Sequence, residues 1–332
     1  MHNPIILGFA SATLLSLSMT PALAQEEEQE QKPIQTVGDI VDQPGVLTPK
    51  GRLIVDSTLS YAQSASNRVS VVGYSVLPTL VVGFIEVEEA DRTTLSYGLA
   101  LRYGITNRLE AEVRVPFIYR NETYERRELA SAQNDTTIYR IEGHGVGDAE
   151  IGLRYQFNMD SAPFFVGGVR AKSTTGRSPY ESDYNQDSNS FEETPTGSGF
   201  WSIEPHITLI YPTAPVVLYA SLGYVYNFED EVTLFDDSVA DVKLGDSISI
   251  SAGMGFAVNP KFSFSLGLNH RTLFESETNG SSSGSQLIQI DQISFGTQLS
   301  LTPNTSLNIS ASAGLTEDSP DFQLNLSVPV AF

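Results

Sequence analysis

From Arg52 to the C-terminus, apolar and polar residues alternate with a period of two in one segment after another. Leu53, Val55, Leu59 and Tyr61 share a face, as do Leu95, Tyr97, Leu99, Leu101 and Tyr103. The same holds for Leu109, Ala111, Val113, Val115, Phe117 and Tyr119, and for Ile151, Leu153, Tyr155 and Phe157. Further sets run through Trp201–Tyr211, Leu218–Phe228, Ile248–Val258, Phe262–Leu268, Ile293–Leu301 and Leu307–Ala313. The last is Phe322, Leu324, Leu326, Val328, Val330 and Phe332. Side chains two apart lie on one face of a strand, so each set predicts a strand with one apolar face. One such strand would fit any half-buried antiparallel sheet. A long series of them, each well beyond the ~5–6 residues usual in soluble sandwiches, does not. Their length matches the ~9–11 residues that a tilted strand needs to cross lipid.

The connections fall into two alternating classes. Short ones lie at 105–108, 158–162, 212–215, 259–261 and 302–305; long ones lie at 122–146, 175–198, 229–246 and 275–286. Strict alternation is what a membrane barrel with periplasmic turns and extracellular loops requires. Counting back from a final strand that runs down to the periplasm, one up-running strand must precede the strand at 92–105. Residues 52–66 are that strand, and 67–91 become an extracellular excursion. The expected fold is all-β: a transmembrane antiparallel up-and-down barrel of twelve strands over 52–332. Aromatics gather at the predicted strand ends: Tyr103, Tyr155, Phe157, Phe164, Tyr211, Phe262 and Phe332 below, and Tyr61, Tyr119, Trp201, Tyr226, Phe228, Phe274 and Phe322 above. Two belts match the interfacial girdles of membrane barrels.

With the apolar set against lipid, the alternate set lines the interior. On the early strands it is charged: Arg102, Glu110, Glu112, Arg114, Arg120, Asp148, Glu150, Arg154, Arg170, Lys172, Glu204 and His206. On the later strands it is small and uncharged, as in Ser247, Ser249, Ser251, Gly253 and Gly255, then Ser263, Ser265, Gly267 and Asn269. The interior therefore has two different sides. A salt-bridge ladder filling a narrow lumen and a polar pore whose charged wall selects solutes or holds a plug both fit this pattern. Twelve strands enclose more room than the eight that side chains just fill.

Composition adds the compartment. Residues 1–24 read as a secretory signal, with an apolar run from Ile5 to Leu17 and a small-x-small site at Ala22-Leu23-Ala24. Beyond it no stretch is apolar for 18 residues, so no membrane-spanning helix is expected. Residues 25–51 form an acidic periplasmic leader whose first part, 25–32, is almost all Glu and Gln. Within it Ile34, Val37, Ile40 and Val41 are spaced for one face of a short helix, a candidate plug or gate over 33–50 ended by Pro44-Gly45. A solvated leader without a plug is the alternative. The chain has no Cys, which excludes thiol catalysis, disulfides and cysteine metal sites. A formal charge of −21 argues against nucleic acid as a partner, since phosphates would be repelled. Acidic loops could instead meet divalent cations near lipopolysaccharide, or serve solubility alone.

Signals for other chemistry are weak. Gly143-His144-Gly145-Val146-Gly147-Asp148 looks like a glycine-rich loop but opens a strand and follows no βαβ unit, so it is no phosphate cradle. The glycines would ease entry into the fourth strand. His2, His144, His206 and His270 have no partner at metal-ligand spacing. Ser202, Glu204 and His206 would share a strand face without oxyanion donors, a poor basis for a hydrolase. No catalytic residue, metal or cofactor is expected.

Several motifs carry a family resemblance. These are Val46-Leu47-Thr48-Pro49-Lys50-Gly51, Pro78 to Glu88, Tyr103-Gly104-Ile105-Thr106-Asn107-Arg108-Leu109-Glu110, Val115-Pro116-Phe117, and Gly145 to Tyr155. Together they resemble the barrel domain of functional-amyloid (Fap) secretion channels from pseudomonads. The wider group includes outer-membrane transporters associated with aromatic-compound degradation, of the MetA-pathway kind. A terminal Phe332 likewise resembles the closing residue of bacterial outer-membrane barrels, where it belongs to the signal read by the barrel-assembly machinery. The resemblance implies an outer-membrane location among lipid and lipopolysaccharide, twelve strands, a helical plug, a periplasmic coiled coil and a homotrimer. Only a short leader separates the signal from the first strand here, too short for a long coiled coil. The expected function is a channel for a small solute or a secreted polypeptide. A barrel hydrolase and a structural or adhesion barrel are the alternatives.

Overall fold

The structure, a computed structural model, describes residues 47–66, 89–127, 136–182, 184–185, 190–234, 238–283 and 285–332. The expected signal at 1–24, the leader to residue 46 with Ile34, Val37, Ile40 and Val41, and most of the 67–91 excursion lie outside these residues. Among the described residues the sole helical turn is the 3-10 turn Pro179–Glu181.

One large antiparallel sheet dominates. Its first three strands are β1 (Leu53–Ser66), β2 (Glu89–Thr106) and β3 (Leu109–Arg127). Strand β4 comes in two stretches, Thr136–Val146 and Glu150–Gln156, which pair with the upper and lower parts of β3. Then follow β5 (Phe164–Lys172), β6 (Ser202–Thr213), β7 (Val216–Asn227) and β8 (Ser247–Asn259). The series ends with β9 (Phe262–Leu273), β10 (Ile288–Thr302), β11 (Thr305–Gly314) and β12 (Phe322–Ala331). The sheet has 13 segments; counting the two stretches of β4 as one strand gives twelve. Every strand pairs with its neighbours in the chain, and β1 also pairs with β12, from Ile54↔Ala331 to Gln63↔Phe322. Phe332 N–H donates to the Leu53 carbonyl at 2.8 Å and completes the seam. This is a closed up-and-down barrel, the architecture that leaves no sheet edge.

Side chains obey the pleat. Leu153, Leu268, Phe295 and Trp201 point outward and remain more than half exposed. An all-round band of this kind would be a liability in water, but it is the contact surface a bilayer requires. Phe256, Phe264 and Phe295 stack along the band with centroids 5.2 and 6.3 Å apart. Tyr155 meets Phe157 edge-on near the short turns, and Tyr226 meets Phe228 in the same way near the long connections. Phe164 is a correction to the expected lower belt. It lies opposite Ile210 on the inner face and packs against buried residues of the interior. As first residue of β5 its facing follows from register, which a terminal aromatic does not reveal.

The short connections are tight turns at Asn107-Arg108, Ala214-Pro215, Pro260-Lys261 and Pro303-Asn304. The long ones hold more strand than expected. β3 and β4 continue as a paired hairpin to Arg127↔Thr136, so most of 122–146 is sheet. Asp230–Thr233, Val239–Lys243, Glu277–Thr278 and Ser281–Ser282 form a separate four-stranded sheet from parts of 229–246 and 275–286. Above the bilayer both faces of a strand meet water or loops, so the apolar alternation that marks a membrane strand is lost while pairing continues.

A charge on the outward band tests this orientation. Leu99→Arg, in the middle of β2, should destabilise the barrel by about 2–4 kcal/mol. Urea titrations of folding into phospholipid vesicles measure this, with the inward Ser251→Thr as a near-neutral comparison.

Candidate functional site

The inner faces of β2 to β6 carry an ion-paired wall. Arg102 on β2 is 3.3 Å from Asp56 on β1. Glu110, almost fully buried on β3, pairs with Arg154 on β4. Arg154 also reaches Glu112 at 3.2 Å, and Arg114 lies 3.7 Å from Glu112 on the same strand. Arg170 on β5 stands between Glu150 at 3.8 Å and Glu204 at 3.5 Å. Register produces two of these pairs directly, since Glu110↔Arg154 and Arg170↔Glu204 are cross-strand partners; Arg114 bonds along its own strand and Arg170 reaches Glu150 diagonally. Charges drawn from water are tolerable only when paired and hydrogen-bonded, and alternating signs on adjacent strands satisfy that condition.

Part of this wall borders a cavity of ≈ 690 Å³, counting its open mouth. Glu112, Arg114, Arg154, Arg170, Glu204 and His206 supply the charged side, and Thr208, Ser221, Gly223 and Ser249 the uncharged side. The two-sided composition of the strands thus becomes a cavity with two kinds of wall. His206 Nδ1 faces the backbone carbonyl of Glu204 at 3.4 Å, so no carboxylate–histidine–hydroxyl relay forms with Ser202. Among the described residues no group of three His, Asp or Glu side chains could hold a metal.

A strap crosses the inner face near the long-loop end. Thr194, Thr196 and Ser198 are buried, although they belong to a stretch expected as an outer loop. Pro195 carbonyl accepts from Arg120 Nη1 at 3.2 Å, and Thr196 Oγ1 donates to the Val146 carbonyl at 2.8 Å. Asp148, in the break between the two stretches of β4, is the latch. Its carboxylate accepts from Gly176 N (3.1 Å), Ser198 N (2.8 Å), Ser198 Oγ (2.9 Å) and Lys172 Nζ (3.1 Å). Lys172 Nζ also donates to Ser198 Oγ and, at 3.1 Å, to the Phe200 carbonyl. The glycines of 143–147 find their reason here. A Cβ at Gly143 would collide with the Thr194 backbone and one at Gly147 would strike Ile118 and crowd the Thr196 carbonyl, whereas one at Gly145 would meet Thr196 only at ordinary van der Waals distance. Gly143 and Gly147 make room for the strap rather than ease entry into β4. Beyond the strap, Phe200 is sealed in an apolar cluster with Ala240, Val242 and Leu244, and Tyr180 packs edge-on to its ring at 5.9 Å. Burial pushes the Tyr180 phenol up to about 12, so this cluster stays uncharged.

At the short-turn end the chain enters the barrel again. Leu47, nearly inaccessible, packs on Val166 and Ile210, with Phe164, Val217 and Tyr219 beside it. Thr48 N–H donates to Glu110 Oε2 at 2.6 Å, and Lys50 N–H to Asn107 Oδ1 at 3.0 Å. The site residues expected from sequence thus divide into groups. Arg102, Glu110, Glu112, Arg114, Glu150, Arg154, Arg170, Glu204 and His206 come together in or beside the cavity. Asp148 and Lys172 instead hold the strap. Sequence reasoning missed Asp56, the strap and Leu47. Asp56 was legible, since it shares the inner face of β1 with Thr58 and Ser60. The strap left one trace, the glycines at every second position from 143 to 147.

Removing the latch gives a direct test. Asp148→Ala leaves Lys172 buried without its counter-charge, a change that costs about 3–5 kcal/mol in a buried pair. Amides of residues 194–200 should then exchange with solvent far faster, while those of β8 to β11 keep their protection. Hydrogen-exchange mass spectrometry of the folded barrel reads both.

Comparison with known proteins adds a family. Residues 129–332 match the family model described as MetA-pathway of phenol degradation. An outer membrane channel from Pseudomonas putida F1 has a similar fold, with a TM-score of 0.62 and 16% identity over 87% of this chain and 98% of that one. The Pseudomonas putida toluene transporter TodX is more distant, with a TM-score of 0.42 and 10% identity over 86% of this chain and 89% of that one. The family match agrees with the aromatic-degradation part of the resemblance. Since the matched segment spans more than half of the chain, from the β3–β4 connection to Phe332, this outer-membrane barrel belongs to the MetA-pathway of phenol degradation family.

Proposed function

We propose that the protein is an outer-membrane channel for small solutes, aromatic compounds among them, held in an occluded state by its own chain. The observation that carries this reading is the cavity inside a closed, lipid-facing barrel, bordered by paired charges on one side and hydroxyls and glycine on the other. A barrel serving only as a scaffold or adhesin has no use for a polar cavity. The family description supports aromatic solutes, since phenol degradation needs phenolic compounds brought across the outer membrane.

The charged residues act as a selecting wall. Arg170, poised between two carboxylates at 3.5 and 3.8 Å, is held loosely enough to exchange a partner for a passing polar group. The strap restricts the outer end. Leu47 and Thr48 restrict the inner end, and the plug proposed over 33–50 is what the deletion below tests. Passage of a secreted polypeptide is the second channel reading; it would require strap and leader to leave together. Phe332, at the seam, serves assembly, as the signal read by the barrel-assembly machinery.

Planar-bilayer recordings test the channel and its plug. Deleting residues 33–48 should raise single-channel conductance several-fold over the full chain. Equal conductance in both would remove the gate, and silence in both would remove the channel. Selectivity tests the wall separately: Arg170→Ala should shift the reversal potential toward cations and Glu204→Ala toward anions.

A further inference from the structure

The barrel interior is polar over most of its inner surface, but one patch is not. Phe164 and Val166 of β5, Ile210 of β6, and Val217 and Tyr219 of β7 converge there. Their neighbours in register hold them together, since Phe164 lies opposite Ile210 and Ile210 opposite Tyr219. Tyr219 is laid against the next two strands. A Cβ at Gly253 or Gly267 would collide with its phenol oxygen, so both glycines clear the space the ring occupies. Apolar side chains facing a watery lumen are costly unless something covers them. The cover is Leu47, which leaves Val166 and Ile210 almost inaccessible.

We infer that this seat is a binding site for the apolar ring of a monocyclic solute, and that Leu47 is its resting occupant. The inference rests on the channel reading and names what the channel holds. Three observations carry it. Val166 lines the seat and also borders the charged cavity, so the two are continuous. A molecule with one apolar ring and one polar substituent would set the ring on Val166, Ile210 and Tyr219 and direct its polar group toward Arg170 and His206. Second, the chain after Leu47 is fastened by polar bonds that do not use the leucine side chain: Thr48 N–H on Glu110, Lys50 N–H on Asn107, and Gly51 N–H on the Gly104 carbonyl at 2.7 Å. The leucine can therefore leave the seat without dismantling the barrel. Third, docking has a flaw. Thr48 Oγ1 is buried there without a hydrogen-bond partner. A stranded hydroxyl penalises the docked state and favours its exchange for a ligand. Ring and leucine cannot occupy the seat together, so solute binding and leader docking are competitive.

The test is ¹⁹F NMR titration of 4-fluorophenol into the folded, detergent-solubilised full-length protein. Leu47→Ala should bind about tenfold more tightly than the wild type, because the competing side chain is shortened. Val166→Asp should abolish the added binding, and the milder Val166→Ala and Tyr219→Ala should weaken it several-fold. Heat-modifiable migration on gels certifies that each variant is folded. Equal affinity in wild type and Leu47→Ala, or undiminished binding in both Val166→Ala and Tyr219→Ala, would overturn the assignment and leave only partition into detergent. Bilayer conductance of the same samples separates the two readings. Conductance without Leu47-dependent binding sinks the seat alone, whereas Leu47-dependent binding without conductance sinks the channel alone.

Discussion

Within a bilayer there is no water to satisfy a free backbone N–H or C=O, and each one left unpaired costs several kcal/mol. The twelve strands meet this requirement only because β1 and β12 pair along their length, ending with the Phe332 N–H on the Leu53 carbonyl. Other features follow from that closure. It divides every strand into a face that meets lipid and a face that meets the interior, and it brings Ser327 Oγ of the last strand to donate to Asp56 of the first at 2.7 Å.

The same closure explains where the charges lie. A guanidinium cannot face lipid without a large penalty, so Arg102, Arg114, Arg154 and Arg170 turn inward. Once inside they need partners, and cross-strand register supplies carboxylates at the right depth. The later strands carry Ser and Gly instead and need no such pairing. The space left between the two sides is then taken up in part by the protein's own chain. The strap enters at the long-loop end on the Asp148 latch, and Leu47 enters at the turn end on the Glu110 pin. Both anchors are carboxylates on the charged side. That wall therefore neutralises buried charge and also fastens the elements that narrow the passage.

Much of this was legible from particular residues. The alternation from Leu95 to Tyr103 or from Leu218 to Phe228 leaves one choice of outward face, because a shift of one residue would turn every side chain over. Alternating short and long connections gave the strand number. Legibility failed where the bilayer stops imposing its pattern. The hairpin above Tyr119 carries no apolar alternation and the small four-stranded sheet only the short run Ala240, Val242 and Leu244, so they read as loops. Phe164 was placed on the wrong face because one aromatic at a strand start fits either register.

The sequence by itself determined the barrel, its strand count, its lipid face and the two-sided character of its interior. These properties depend on periodicity within single strands, and periodicity is local. Only the tertiary structure decided that Thr194–Ser198 folds inward, that Asp148 serves as a latch instead of a lining charge, and that Leu47 fills a seat made by β5, β6 and β7. Those contacts join segments far apart in the chain. They depend on which side chains closure brings face to face across the lumen, a relation that no local pattern encodes.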